Sequence, residues 1–408
     1  MKRKSVLLLI YNSFGDPLFQ NILLSYIREI QATSTDFRFY VISFEQKDFH
    51  ITSNEKQRIK AELSNEFISW HPLPYHSGKF LLLKKTWDVF QAFIKVGYLR
   101  ISRKIPVIFA FANTSAVFSY FLSRLFRMRM IVYSYEPHSE FMEECGIWSK
   151  KSMKYRIFKP LEEKAGRKAD VVMTGTQYMV ERLKKEGARG KILRAPTAVD
   201  EKVFYFREDL RQSTRKKFGI ENRKVILYIG KFGDLYYNEE VIAFFSGLYK
   251  KDNDFFFIVS TRNTAQIEEW FVKYNIPAEN YLVMGYVQRD VVIELLCAAD
   301  MGLNAIPPSP AQKFRSPTKV GEYLMCGLPY ITCKGVSEDD IYAEKENVGV
   351  VVKELSQDEA FACNEKIQNF LKEDKQELRQ RCRKVGIEYR SKYKVVEMIR
   401  QNLYELTK

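Results

Sequence analysis

Short apolar runs alternate with longer segments of helical periodicity along most of the chain. Ser5 to Tyr11 has the unbroken apolar character of a buried strand, and the turn Asn12 to Pro17, with Gly15 at its tip, leads into a helix from Leu18 to Gln31. Phe37 to Phe44 reads as a second strand and Phe67 to Leu73 as a third, beyond a charged segment from Glu55 to Glu66. Leu83, Trp87, Phe90, Ile94 and Tyr98 recur at helical spacing with lysines and arginines between them. Strands at Val107 to Ala110 and Met130 to Tyr135 flank a helix from Ser115 to Phe126, and the strand Ala169 to Thr174 precedes a helix from Tyr178 to Gly187. The pattern pauses from Ala195 to Phe204 and gives way to the charged stretch Arg207 to Arg223, where a domain boundary is expected. A second series of strands follows at Val225 to Gly230, Phe255 to Ser260, Tyr281 to Met284, Met301 to Ala305, Tyr330 to Cys333 and Val348 to Val352. Tyr389, Tyr393, Val396, Ile399, Leu403 and Leu406 then form one face of a last helix. Such alternation predicts an α/β fold of doubly wound parallel sheets covered by helices on both faces.

Length and composition narrow the class. The 408 residues suffice for two or three domains, each with a full core. No run approaches the ~18 uncharged apolar residues of a membrane span, and the first residues read as a strand rather than a signal segment, so a cytoplasmic protein is expected. Six cysteines without C-x-x-C spacing read as free core thiols. The net charge of +15 points to an anionic partner. From Lys79 to Met130 ten basic residues face one acid, Asp88, and Leu81, Leu82, Trp87, Phe90 and Phe93 lie among them. That combination suits a face docked on an anionic membrane, and it is also what a sheet-covering helix with a solvated basic side looks like. Nucleic acid is the less favoured partner.

Chemistry concentrates between Ser316 and Ile331. Pro317 and Thr318 suit a helix start, Gly327 a helix end, and Pro329 opens the next extended run. Lys319 and Glu322, three apart, share one face near a helix amino terminus, where free N–H groups favour an anion. A lysine with backbone donors can take a phosphate and a carboxylate can take hydroxyls, which together match a nucleotide ribose and its phosphates. An exposed ion pair is the plain alternative. Gly230-Lys231-Phe232-Gly233 follows a strand, so its backbone can approach a phosphate while Lys231 supplies charge; an ordinary surface turn would look the same. Asp252-Asn253-Asp254 precedes its strand and so reads as a solvated turn rather than a metal site. No other cluster has metal-ligand spacing, and a metal-independent reaction without a cofactor is expected.

The string from Ser316 to Ile331 resembles the signature of glycosyltransferase family 4, the glycosyl transferases group 1, on the GT-B fold. The resemblance implies two Rossmann-like domains facing a cleft: an acceptor-binding domain over residues 1–206, a nucleotide-sugar-binding domain over 207–385, and a terminal helix over 386–408 that crosses back onto the first. It assigns Glu322 to the donor's ribose, and Arg315, Thr318, Gly230 and Gly233 to the donor site beside Lys231 and Lys319 as the diphosphate clamp. Gly285-Tyr286-Val287 resembles the family's segment next to the base, which adds Tyr286 and Val287. Glu136 and His138, in Glu136-Pro137-His138-Ser139, match a His-containing turn that faces the donor, and Gly15 marks a loop near it. Two departures stand out. Phe314 occupies the place of a second family Glu, and the region Tyr236-Tyr237 occupies that of a lysine for the diphosphate. The activity implied is retaining transfer from a UDP- or GDP-linked sugar to a saccharide or lipid-linked saccharide, in cell-surface polysaccharide or glycan synthesis, on the inner face of a membrane. A nucleotide-sugar epimerase on the same fold and a non-catalytic carbohydrate-binding relative are the alternatives.

Overall fold

The computed structural model describes residues 3–49, 51–78, 80–133 and 136–408. Lys79 and the side chains of Leu81 and Leu82, read above as part of the basic and apolar stretch, lie outside the described residues, as do Ser134 and Tyr135 at the end of an expected strand. The chain forms two compact units, one of residues 1–196 with 392–408 and one of residues 197–391.

The first unit is built on seven parallel strands: β1 (Lys4–Ile10), β2 (Phe37–Glu45), β3 (Ile68–Pro74), β4 (Val107–Phe111), β5 (Arg129–Tyr133), β6 (Val171–Thr174) and β7 (Lys191–Arg194). Their order is β3-β2-β1-β4-β5-β6-β7, so the winding reverses between β1 and β4, where Val6 lies beside Val107. β1 and β4 are apolar runs buried along nearly their whole length, as strands covered on both faces must be. The helix expected from Leu18 to Gln31 begins as a π-helical segment, Phe19–Leu24, and continues as α-helix Ser25–Thr33. The charged segment Glu55 to Glu66 is itself helical, Ser53–Asn65, closed by a capping box of Thr52 and Glu55. The last helix, Lys392–Leu406, packs on this unit: Lys392 pairs with Glu29 at 3.3 Å, and the Tyr404 ring lies 4.8 Å from that of Phe37.

The long helix Leu81–Arg103 turns the opposite way from a simple core helix. Among its described positions Asp88, Ala92, Val96, Gly97 and Leu99 are buried, while Leu83, Trp87, Phe90, Ile94 and Tyr98 face solvent.

The second unit carries β8 (Lys224–Ile229), β9 (Phe255–Ser260), β10 (Tyr281–Met284), β11 (Met301–Asn304), β12 (Tyr330–Cys333) and β13 (Gly349–Val352), all parallel, in the order β10-β9-β8-β11-β12-β13. The reversal here falls between β8 and β11, and the loops beyond their carboxyl ends are where such sheets bind ligands. Helix Thr318–Met325 is seated on helix Lys375–Arg390 through two glycines. A Cβ on Gly321 would come within 2.8 Å of Val199, and one on Gly386 within 3.1 Å of Leu324. Gly327, at φ +69°, ends the helix in the left-handed region that favours glycine.

Candidate functional site

In the second unit the loop after β8 and the segment leading into helix Thr318–Met325 converge. Lys319 lays its stem against Gly230, where an added Cβ would meet Lys319 Cε at 3.0 Å and Tyr228 Oη at 2.9 Å. Gly233, at φ +75°, closes the loop by donating from its N–H to the Tyr237 carbonyl at 3.2 Å. Lys231 stands exposed at the loop tip and pairs with Asp234 at 3.2 Å. Tyr236, which sequence reasoning passed over as a mere departure, turns its ring into this group. Arg315 Cζ lies 5.7 Å and Lys319 Nζ 5.9 Å from the ring centroid. Burial pushes the Tyr236 phenol up, yet Arg315, which also donates to it, with Lys319 and Lys231 holds it below the ordinary tyrosine value. Only its place in a motif position reserved for a cation could have signalled it.

Thr318 is the first residue of its helix, and Pro317 before it offers no side-chain cap to the first-turn N–H groups, which have no partner within the helix. Glu322, one turn on, is half-buried; loss of hydration raises its carboxyl above the usual range, with Lys319 and Arg289 opposing. Arg289, at the start of helix Arg289–Ala298, is a second charged neighbour that spacing did not reveal. Tyr286 is exposed and Val287 half-buried in the loop after β10, whose Gly285 carbonyl accepts from Ser260 Oγ at 2.9 Å. Phe314 is buried in the turn Gln312–Phe314 and presents no polar group. Behind the site, Ser316 Oγ accepts from the Thr197 N–H at 2.9 Å and from Arg390, whose guanidinium also pairs with Asp339, both fully enclosed. Asp252 accepts from the Asp254 N–H at 3.0 Å and pairs with Lys224, as a turn residue does.

In the first unit, Glu136 is joined through its carbonyl to Asn113 Nδ2 at 2.7 Å. The His138 ring stands edge-on to Trp148 and Phe158 at 5.4 and 5.8 Å. Burial, then Lys154, lowers its pKa to about 4, so the imidazole is neutral near pH 7 and lies in an aromatic enclosure rather than on an open loop. The backbone N–H groups of His138 and Ser139 donate to the Glu162 carboxylate at 2.6 and 3.1 Å. Gly15 has no left-handed backbone and packs near Phe49 and Ile51. A further cluster at the carboxyl edge of the sheet was not foreseen. Asp88, wholly buried, accepts from Tyr11 Oη at 2.7 Å, meets His76 Nδ1 at 2.6 Å and pairs with Lys85 at 3.3 Å. The one available signal was a lone acid at an inward helix position. Among the described residues no group of three or more His, Cys, Asp or Glu is placed to hold a metal ion.

Residues 211–389 match the model of the family described as glycosyl transferases group 1. Among solved structures, the fold is similar to Anabaena Alr3699/HepE in complex with UDP (TM-score 0.71, 12% identity, 98% of this chain and 100% of that one). It is similar also to a sucrose-phosphate synthase from Thermosynechococcus elongatus (TM-score 0.70, 15% identity, 99% of each chain). WaaG, a glycosyltransferase involved in lipopolysaccharide biosynthesis, aligns with a TM-score of 0.66 at 16% identity over 97% of this chain and 99% of its own. Among curated proteins none matches this chain. Most of the second unit is thus similar to the glycosyl transferases group 1, and the chain's two parallel-sheet units have the GT-B fold.

Proposed function

We propose that the protein is a retaining, metal-independent glycosyltransferase that moves a sugar from a nucleotide donor to a saccharide or lipid-linked saccharide, working from the cytoplasmic side of a membrane. The observation that carries this reading is the group formed by Lys319, Arg315, Tyr236 and the open helix start at Thr318, with the Glu322 carboxylate one turn further on. Cations and N–H groups set in advance stabilise the charge that grows on a departing diphosphate. Glu322 takes the ribose hydroxyls, and Tyr286 and Val287 flank the base. A uridine nucleotide is favoured over guanosine, because HepE was solved with UDP and with UDP-glucose. In the reaction the anomeric carbon–oxygen bond to the diphosphate breaks, the acceptor oxygen bonds to the same face, and the acceptor's proton passes to the leaving diphosphate. No residue serves as nucleophile. Lys231 steadies the diphosphate as it leaves, and Glu136 and His138 help to present the acceptor in the first unit, His138 as a neutral imidazole.

The test is calorimetric binding of UDP and GDP to the wild type and to Glu322→Ala, together with transfer from the matching nucleotide-sugar. Glu322→Ala is expected to lose at least tenfold in nucleotide affinity and nearly all transfer while staying folded. An equally active, equally tight variant overturns the assignment. Interconversion of donors without transfer points instead to an epimerase, and saccharide binding without nucleotide binding to a non-catalytic relative, for which the enclosed Phe314 is the one favourable observation.

A further inference from the structure

Periodicity alone left two readings of helix Leu81–Arg103, and the structure separates them. The stripe Leu83, Trp87, Phe90, Ile94, Tyr98 and Ile101, spaced by three and four residues, runs along the outer side of the helix, with Leu83 71% and Ile101 77% exposed. The sheet is covered instead by the opposite face, so the outer side of the stripe is covered by no element among the described residues of the unit. Trp87, Phe90, Phe93 and Phe126 form a chain of ring contacts 5.3 to 6.4 Å apart, which gives the patch a fixed shape. Phe121 and Leu125 of the neighbouring helix Asn113–Leu125 add exposed apolar surface beside it. A contiguous apolar area of this kind on a charged protein marks a site of association.

Charge selects the occupant. Arg103, Lys104, Arg124 and Arg127 are all exposed at the end of the patch. The single acid between residues 80 and 130, Asp88, is wholly buried and already engaged by Tyr11, His76 and Lys85, so no carboxylate of that stretch offsets them. A second copy of this face would bring like charges together. Nucleic acid would answer the charge and leave the Leu, Ile and Phe side chains in contact with water. An anionic bilayer answers both: apolar side chains enter the interface, the Trp and Tyr rings sit at headgroup level, and lysine and arginine stems reach the phosphates. We propose that the outer face of helix Leu81–Arg103, with the adjoining end of Asn113–Leu125, docks the protein on an anionic membrane surface with the helix lying in the interfacial plane. This gives a location to the lipid-linked part of the reading above and rests on it for its purpose, but nothing in its test depends on transfer.

Three of the four tryptophans are enclosed, Trp70, Trp148 and Trp270 at 3, 7 and 9% exposure, whereas Trp87 is 53% exposed. Fluorescence therefore reads the proposed contact directly. The full chain is mixed with vesicles of equal parts phosphatidylglycerol and phosphatidylcholine, or of phosphatidylcholine alone, at low and high salt, with brominated lipids as quenchers. Binding to the anionic vesicles only, weakened by salt, with quenching that disappears in Trp87→Phe, is the expected result. Each basic residue near such a surface is worth about fivefold in affinity, so R103E/K104E/R124E/R127E should bind at least a hundredfold more weakly. L83S/I94S/I101S should lose quenching even where it still sediments. All substituted side chains are exposed, and circular dichroism checks that the variants fold. Absence of binding, indifference to lipid charge, or binding without Trp87 quenching overturns the proposal. So does a concentration-dependent dimer that the serine variant dissolves, which would assign the face to a second copy. UDP affinity is measured on the same samples, so loss of docking and loss of the donor site are told apart.

Discussion

Replacing Arg390 by Met tests whether the segment leading into helix Thr318–Met325 is held from behind by a buried ion pair. Arg390 and Asp339 have side chains 2% and 0% exposed, and the guanidinium serves both the Asp339 carboxylate and Ser316 Oγ, two residues before the helix that carries Lys319 and Glu322. Met keeps much of the side-chain volume but strands the Asp339 charge in the interior. Breaking a buried pair from one side costs about 3–5 kcal/mol, a large share of the ~5–15 kcal/mol by which a domain is stable. The double variant Asp339→Leu with Arg390→Met removes both charges and should recover most of that loss, because the penalty arises from the unpaired ion and not from a missing attraction. Urea unfolding is the assay, followed by fluorescence, for which Trp270 is the one tryptophan in the second unit. Hydrogen exchange in helix Thr318–Met325 reports the local consequence, and it should rise in the single variant before global unfolding does. A single substitution that costs under about 1 kcal/mol, or a double variant as damaged as the sum of its parts, would refute the reasoning.

Three further outcomes are expected. Tyr236→Phe should weaken UDP by about tenfold to a hundredfold, the range of one hydrogen bond to a charged group of about 1.5–3 kcal/mol, while leaving uridine affinity within about twofold; calorimetry with both ligands decides it. Lys231→Ala should lower turnover more than UDP affinity, because its charge matters most as the diphosphate departs, and an unchanged rate would return Lys231 to the surface. Glu162 supplies a pH signature: burial, against hydrogen bonds from Ser139 and the His138 N–H, raises its carboxyl to about 6. A carboxyl raised on folding favours the folded state in its protonated form, so its contribution is present below the ordinary value and is lost as pH rises through about 6. The stability difference between wild type and Glu162→Gln should accordingly move by about 2 kcal/mol in favour of Gln between pH 4.5 and pH 7, and urea midpoints at the two pH values that differ by a constant would contradict it.

The strands of the second unit were legible because each is a short apolar run closed by turn residues; the fully buried Phe255–Ser260 and the half-buried edge strand Tyr281–Met284 were both delimited to the residue. Helix Ser53–Asn65 was not, since Leu63 is its one buried position and its stability comes from a cap rather than from an apolar period. The stripe on helix Leu81–Arg103 was visible, but a period carries no sign. The lone acid at Asp88, in phase with Ala92, Val96 and Leu99, shows which face turns inward only after its partners Tyr11 and His76 are known. In the candidate site the residue types of Lys319 and Glu322 declared themselves through spacing, whereas Tyr236 and Arg289 reach the same place from other segments. His138 has the composition of a reactive loop residue, yet Trp148 and Phe158, ten and twenty positions further along, enclose it.

The parallel bridge between Val199 and Ser391 ties the start of the second unit to its last residue. Val199 donates from its N–H to the Arg390 carbonyl at 2.8 Å, so entry and exit lie side by side. Topologically the whole of residues 197–391 is then an insertion between β7 and the last helix of a host domain, joined by two neighbouring peptides. Adjacent ends are what allow one module to be cut out of another. The second unit therefore has the architecture of a portable part, one that can be expressed as a separate polypeptide or spliced into other host domains, provided that the clasp of Val199, Arg390 and Ser391 travels with it.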